Sequence, residues 1–302
     1  MNINQTSPKR FILLGLSNVP YLQSIFFLVF FIMYIMTLSG NLLLITLVRI
    51  NPKLQTPMYI FLCNLSTIDI CFSSTVVPKI LINTLIMDKS ISVLECALQM
   101  YFHLALGSTE CIIIAIMAYD RFAAICRPLH YNTIMNKKIC VSLAVGTWSV
   151  CFINSAIHVA LIFQLPNCNS YHVHHFLCEL PPFLRTLCSE TLVNEIAMYI
   201  GAGFIGMCSF FLILISYVHI IVTILKIRSS QGRHKAFSTC GSHLTVVVLY
   251  YGTILFVYLR PRSSITSETD KTFSILYTVV TPMLNPIIYG IKNKDVKDTI
   301  RR

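Results

Sequence analysis

Five ionisable side chains sit where an apolar chain can least accommodate them. Asp69, His103, Glu110 and the adjacent pair Asp120–Arg121 lie inside stretches built mainly of Ile, Leu, Val, Phe, Ala and Met. An ionised group in such a setting needs a partner or a wet cavity. Two carboxylates brought together in low dielectric cannot both stay ionised without a cation or a shared proton. Asp69, Glu110 and Asn285 therefore form a candidate ion site, filled by a sodium ion or replaced by a proton-sharing pair. Asp120–Arg121 fits a latch whose guanidinium is held when the structure is closed and released when it opens. It also fits an interfacial anchor with no switching role. An intramembrane aspartyl hydrolase would need a second Asp-bearing motif, and none is present. The sequence thus points to no catalytic residues and no enzyme.

The elements that must hold these groups follow from charge. Of 302 residues, 55% are apolar and 12% charged, about half the charged fraction of a soluble domain. Five segments lack Asp, Glu, Lys and Arg altogether: 11–48, 139–178, 196–225, 236–259 and 272–291. Each reaches the roughly 20 residues a membrane helix needs. Residues 57–87 and 93–125 are two further apolar stretches with isolated charges. The predicted fold is an all-α membrane protein, a seven-transmembrane helix bundle in a single domain over 1–302. Its spans run approximately 22–49, 57–87, 93–127, 138–163, 191–228, 232–261 and 270–290. A soluble helical protein would show amphipathic helices, not helices apolar nearly all round. A transporter would show inverted repeats or broken helices, and neither is evident.

Placing the N-terminus outside puts fifteen of the 23 Lys and Arg on the cytoplasmic side, with only Asp120, Asp295 and Asp298 as acids there. That satisfies the positive-inside rule. The basic balance then points to anionic lipid and an intracellular partner, not nucleic acid. Residues 1–21 form an extracellular tail with a glycosylation sequon at Asn4. The first apolar run is expected to act as a signal anchor. Asn64-Leu65-Ser66 also matches a sequon, but inside a span. Cys96, Cys168, Cys178 and Cys188 fall on the oxidising side, where three pairings are open. Residues 291–302, "IKNKDVKDTIRR", read as a short amphipathic cytoplasmic helix and tail. On the third span Met100, His103, Gly107, Glu110, Ile114 and Arg121 fall near one face at helical spacing.

The stretch "MAYDRFAAICRPLHY", 117–131, resembles the signature of odorant receptors, a branch of the rhodopsin-like (class A) G-protein-coupled receptors. Gly40-Asn41, "LQTPMY" at 54–59, "LSTID" at 65–69, Trp148, "SYVHI" at 216–220, "KAFSTCGSHLTVV" at 235–247, "YYGT" at 250–253 and "PMLNPIIYGIKNKDVK" at 282–297 follow in the family's order. The resemblance covers nearly the whole chain. Phe122, Arg127, Gln55, Tyr250 and Gly290 depart from the family's usual residues near the core or cytoplasmic machinery, and bear on coupling rather than fold.

The resemblance implies disulfides Cys96–Cys178 and Cys168–Cys188, the ion site above, and an activation switch of Asp120, Arg121, Tyr217, Lys235 and Tyr289. It implies a ligand pocket in the outer half of the bundle. The matching positions are Met100, His103, Leu104, Gly107, Ser108, Gly201, Ala202, Ile205, Tyr251, Ile254, Tyr258, Ile275 and Thr278. That wall is mostly apolar with a few hydrogen-bonding groups, which suits a small volatile ligand. His103 stands where an amine receptor carries its carboxylate, which argues against a biogenic amine. It serves as a polar anchor for ligand or is satisfied by a neighbouring helix. Metal-assisted thiol binding through Met100 and His103 is a weaker reading. In "HVHHFLCE", 172–179, His175, Cys178 and Glu179 invite a metal too, but a disulfide at Cys178 removes its thiolate, so a solvated loop is expected. No organic cofactor is implied. The implied function is an odorant receptor in the cell membrane of sensory cilia, working through the stimulatory olfactory G protein to raise cyclic AMP. A non-olfactory chemosensory receptor and a membrane transporter are the alternatives.

Overall fold

The computed structural model describes residues 10–16, 19–86, 88–165, 172–184, 186, 192–259, 267–292 and 296. Long helices dominate. The first four spans are Pro20–Ile50, Pro57–Leu85, Val93–Cys126 and Lys137–Phe163. The fifth and sixth are Leu192–Leu225 and Ser230–Leu259. The seventh is composite: Ser267–Ile275, a π-helical turn at Leu276–Val280, then Thr281–Lys292. Six described helices are long and apolar enough to cross a membrane; the sixth span contributes a shorter apolar stretch, Cys240–Leu255. Its first turns, "SQGRHK", are too polar for the bilayer core.

Local chemistry sets the boundaries. The first two spans start with Pro in the first turn, where its missing N–H costs nothing. The third opens on a capping box: Ser92 Oγ accepts from Glu95 N at 3.1 Å, and Glu95 Oε2 accepts from Ser92 N at 2.9 Å. Asn136 caps the fourth by accepting from Ile139 N at 2.9 Å. Inside the spans, hydroxyls of residues such as Thr37, Ser73 and Thr109 donate to carbonyls one turn back. In lipid no water would do so.

Prolines within the spans are answered by neighbours. Pro286 leaves the carbonyl of Pro282 without its helical donor. Asn41 of the first span supplies one, Nδ2 to Pro282 O at 3.1 Å, and is itself fully buried. The two helices meet so closely here that a Cβ at Gly40 would lie 3.0 Å from Pro286 Cγ. Just after the π turn, Thr281 Oγ1 donates back to Leu276 O at 3.0 Å.

One end of the bundle carries an element the periodicity does not predict. β1 (Arg10–Leu13) pairs antiparallel with β2 (Ser90–Ser92) and parallel with β3 (His172–Val173). Residues 10–13 are therefore not free tail: Phe11 and Leu13 are buried. Phe11 meets the ring of Phe183 edge-on at 5.3 Å. The Cys96–Cys178 disulfide is formed. Beside it Gln99 donates to Thr75 O at 3.1 Å and accepts from Cys178 N at 2.8 Å, joining second span, third span and loop. The loop is not solvated as expected: His175, Phe176, Leu177, Cys178 and Glu179 are all buried.

Asn4, Cys168 and Cys188 lie outside the described residues; of the expected cytoplasmic segment 291–302, Ile291 and Lys292 end the last helix and Val296 is helical and buried. Asn64 serves packing. It accepts from Trp148 Nε1 at 2.9 Å and donates to Ile60 O at 2.8 Å.

Candidate functional site

At the sheet end, the third span, the seventh span and the buried loop converge on His103. Its Nε2 lies 3.6 Å from Glu179 Oε1 and 3.4 Å from Tyr277 Oη. Tyr277 donates to Glu179 Oε1, and Ser274 donates to Oε2 at 3.1 Å. The rings of Phe72 and Tyr277 flank the imidazole at 4.9 Å and 5.6 Å. His103 Nδ1 is buried with no partner among the described residues. Burial pushes the Glu179 carboxyl up to about 7, against the bonds from Tyr277 and Ser274 that pull it down; the charge of Asp270 adds to the rise.

Sequence reasoning weighed Glu179 only as part of a metal pattern in the loop, not as a partner of His103. A carboxylate does reach His103, delivered by the loop rather than by a span. The signal was its place directly after Cys178, since a disulfide to the third span forces the next residue towards the bundle. Both Glu179 and Tyr277 were absent from the expected pocket.

The other expected pocket residues are distributed around this cluster. Met100 is fully buried beneath the loop, packed with Cys96, Cys178 and Phe183. Leu104 packs at the edge of that same cluster. Gly107 gives its carbonyl to Tyr250 Oη at 2.8 Å, and Tyr251 Oη donates to Cys111 O at 3.2 Å. Ile254 packs against the main core, whereas Ile275 packs with Phe176 and Val279 on the side of the first two spans. Thr278 is fully buried and its hydroxyl turns back to Ser274 O at 2.5 Å. Gly201 passes close to His158: a Cβ there would lie 2.8 Å from His158 Nε2. Ser108 and Ile205 are half-buried. The side chains of Ala202, Tyr258 and Lys235 lie outside the described residues. No group of three or more His, Cys, Asp or Glu able to hold a metal occurs among the described residues.

In mid-bundle, Asn285 Nδ2 donates to both carboxylate oxygens of Asp69 at 3.1 Å. Glu110 lies near enough for its charge to act on Asp69. Glu110 Oε1 and Asn285 Oδ1 are buried without partners among the described residues.

At the opposite end Arg121 grips Asp120 through Nη2 at 2.5 Å and Nε at 3.1 Å. Tyr131, in the short helix Tyr131–Ile134, donates to the other oxygen of Asp120 at 2.7 Å. Burial and the Asp120 charge hold that phenol above its ordinary range. A second chain crosses three spans: Tyr217 Oη and His243 Nδ1 are 2.7 Å apart, and His243 Nε2 is 3.1 Å from Ile114 O. A carbonyl only accepts, so Nε2 carries the proton and Nδ1 accepts from Tyr217. Tyr289 Oη is buried with no partner among the described residues. Tyr131 and His243 both stand inside recognisable motifs, but nothing in their spacing reveals what they bond.

A seven-helix membrane bundle with a capped polar cluster at one end and an Asp-Arg pair at the other defines a transmembrane receptor. The comparison with known proteins narrows the class. The olfactory receptor family profile matches residues 30–302. Mouse olfactory receptor 5AR1 is 46% identical over 99% of this chain and 96% of its own length. Mouse olfactory receptor 5AP2 is 48% identical over 100% and 95%, and human olfactory receptor 5AU1 is 50% identical over 98% and 82%. The chain belongs to the olfactory receptor family of G-protein-coupled receptors. It is a multi-pass membrane receptor for odorants, not an enzyme.

Proposed function

We propose that residues 1–302 form one receptor domain that binds a small, largely uncharged volatile molecule beside His103. The sheet end faces outside and the C-terminus lies in the cytoplasm of sensory cilia, a reading supported by the excess of Lys and Arg on the opposite side. The observation that carries the ligand reading is the cluster of His103, Glu179 and Tyr277. It offers a donor and acceptors inside an otherwise apolar wall, enough to orient a carbonyl or alcohol. A ligand that packs better against one arrangement of the sixth and seventh spans shifts the population towards it. Tyr251 and Tyr258 are the levers on the sixth span. Release of Arg121 from Asp120 then opens a cleft near Lys235 for the stimulatory olfactory G protein, which raises cyclic AMP. Asp69, Glu110 and Asn285 offer the hard oxygens a sodium ion prefers; a proton shared between the two acids is the alternative.

The test is a cyclic AMP assay in cells expressing the receptor and that G protein, screened with a panel of volatiles. His103→Ala and Tyr258→Phe are expected to shift agonist potency by about tenfold or more at unchanged surface expression, the size of one lost buried hydrogen bond. Unchanged dose–response curves for several agonists remove both residues from the pocket.

A further inference from the structure

On the fifth span a histidine is turned towards lipid. His219 lies inside Gly203–Leu225, a membrane-crossing segment of mean hydropathy 2.4, and it is exposed. A polar side chain in that position needs a partner. Its own bonding defines what the partner must be. Nδ1 lies 2.9 Å from Ile215 O, one turn back. A carbonyl only accepts, so Nδ1 carries the proton and the neutral ring keeps a lone pair at Nε2. No described residue hydrogen-bonds Nε2. The ring meets Phe122 of the third span edge-on at 5.6 Å, and Phe122 in turn meets Tyr119 at 5.8 Å. The surface around His219 is apolar. Val222, Ile215, Leu212 and Phe211 stand three, four, seven and eight residues from it, on the same helical face, and all four are exposed.

We propose that the hydroxyl of a membrane sterol donates to His219 Nε2, with the sterol rings laid along Ile215, Leu212 and Phe211 beside Phe122. The occupant follows by elimination. It must donate, whereas ester carbonyls and phosphates only accept. Phospholipid headgroups do carry N–H and O–H donors, but at the level of the basic residues that mark the interface. Here those are Lys226 and Arg228, both exposed. Lys226 is seven residues beyond His219, about 10 Å along the helix. The donor therefore sits deeper than a headgroup, on a body that is otherwise apolar. A sterol matches that description, with one hydroxyl on a rigid hydrocarbon frame. Phe122 directly follows Arg121, so the occupant rests against the part of the third span that carries the Asp120–Arg121 pair.

The test reads binding directly, independent of odorant response. Full-length receptor in phosphatidylcholine nanodiscs is labelled with a photoreactive cholesterol, and the adducts are mapped by mass spectrometry. Adducts are expected at Phe122 and between Phe211 and Val222, displaced by cholesterol and not by its 3-O-methyl ether, which has no hydroxyl to donate. His219→Leu should cut labelling there by roughly fivefold, the scale of one lost neutral hydrogen bond. His219→Gln, whose amide oxygen restores an acceptor, should retain most of it. His219 is a surface residue, so both variants are compared in folded receptor. Adducts spread evenly over every lipid-facing helix overturn the proposal. So does labelling unchanged by His219→Leu, or a methyl ether that competes as well as cholesterol. Displacement by phosphatidylethanolamine or diacylglycerol as effective as by cholesterol also overturns it, since the donor would then belong to a glycerolipid.

Discussion

Burying Glu179 against Ser274, Tyr277 and His103 makes its proton part of the receptor's stability. The folded carboxyl titrates at about 7, above the ordinary value of 4.5. A raised folded value means that the contribution is complete below about pH 4.5 and is lost as pH climbs through 7. Its upper size is about 3 kcal/mol. Thermal unfolding of purified receptor is therefore expected to fall between pH 5 and 8, and Glu179→Gln, which cannot ionise, should flatten that slope. An unchanged slope would mean that the carboxyl is solvated. At this scale the sequence displays charge but not company. Asp69, Glu110, Asp120 and Arg121 are legible because an ionisable group in an apolar run announces itself. Glu179, Tyr131 and His243 are not, because each acquires its partner only when distant segments fold together.

Helices in this bundle are joined at points where one backbone fails and another side chain compensates. Pro286 frees a carbonyl, Asn41 captures it, and Gly40 lets the first span come close enough to do so. Gly40→Val should force the two helices apart and cost about 1–3 kcal/mol, the penalty of overpacking. Thermal shift in detergent, with surface expression in parallel, measures it. The same logic governs the Tyr217–His243–Ile114 chain across the fifth, sixth and third spans. His243→Phe keeps the ring and removes both bonds. It is expected to raise ligand-independent signalling at equal surface level, since the sixth span is then held less firmly to the third. A basal signal identical to wild type would show that the chain does not restrain the switch. Helix existence was legible here from charge-free lengths. Helix-to-helix attachment was not, since a proline signals a defect without saying which neighbour mends it.

Over the whole molecule, sequence reasoning recovers the bundle and misjudges its cap. Spans are long, periodic and local, so composition alone reveals them. The three-stranded sheet has strands of two to four residues drawn from positions near 10, 90 and 172, too short for any pattern to register. The Cys96–Cys178 pairing followed from the family resemblance, and the structure contains it; Cys168 and Cys188 lie outside the described residues. That the same loop would be buried, and carry Glu179 inward, depends on Phe11, Leu13 and Phe183 packing above it.

Because β1 is stitched between β2 and β3, the amino-terminal segment is a hem of the fold rather than a loose thread. Epitope tags or fusion partners intended to report trafficking belong before Arg10. Any cut or graft within Arg10–Leu13 would unpick the lid and be mistaken for a failure of export.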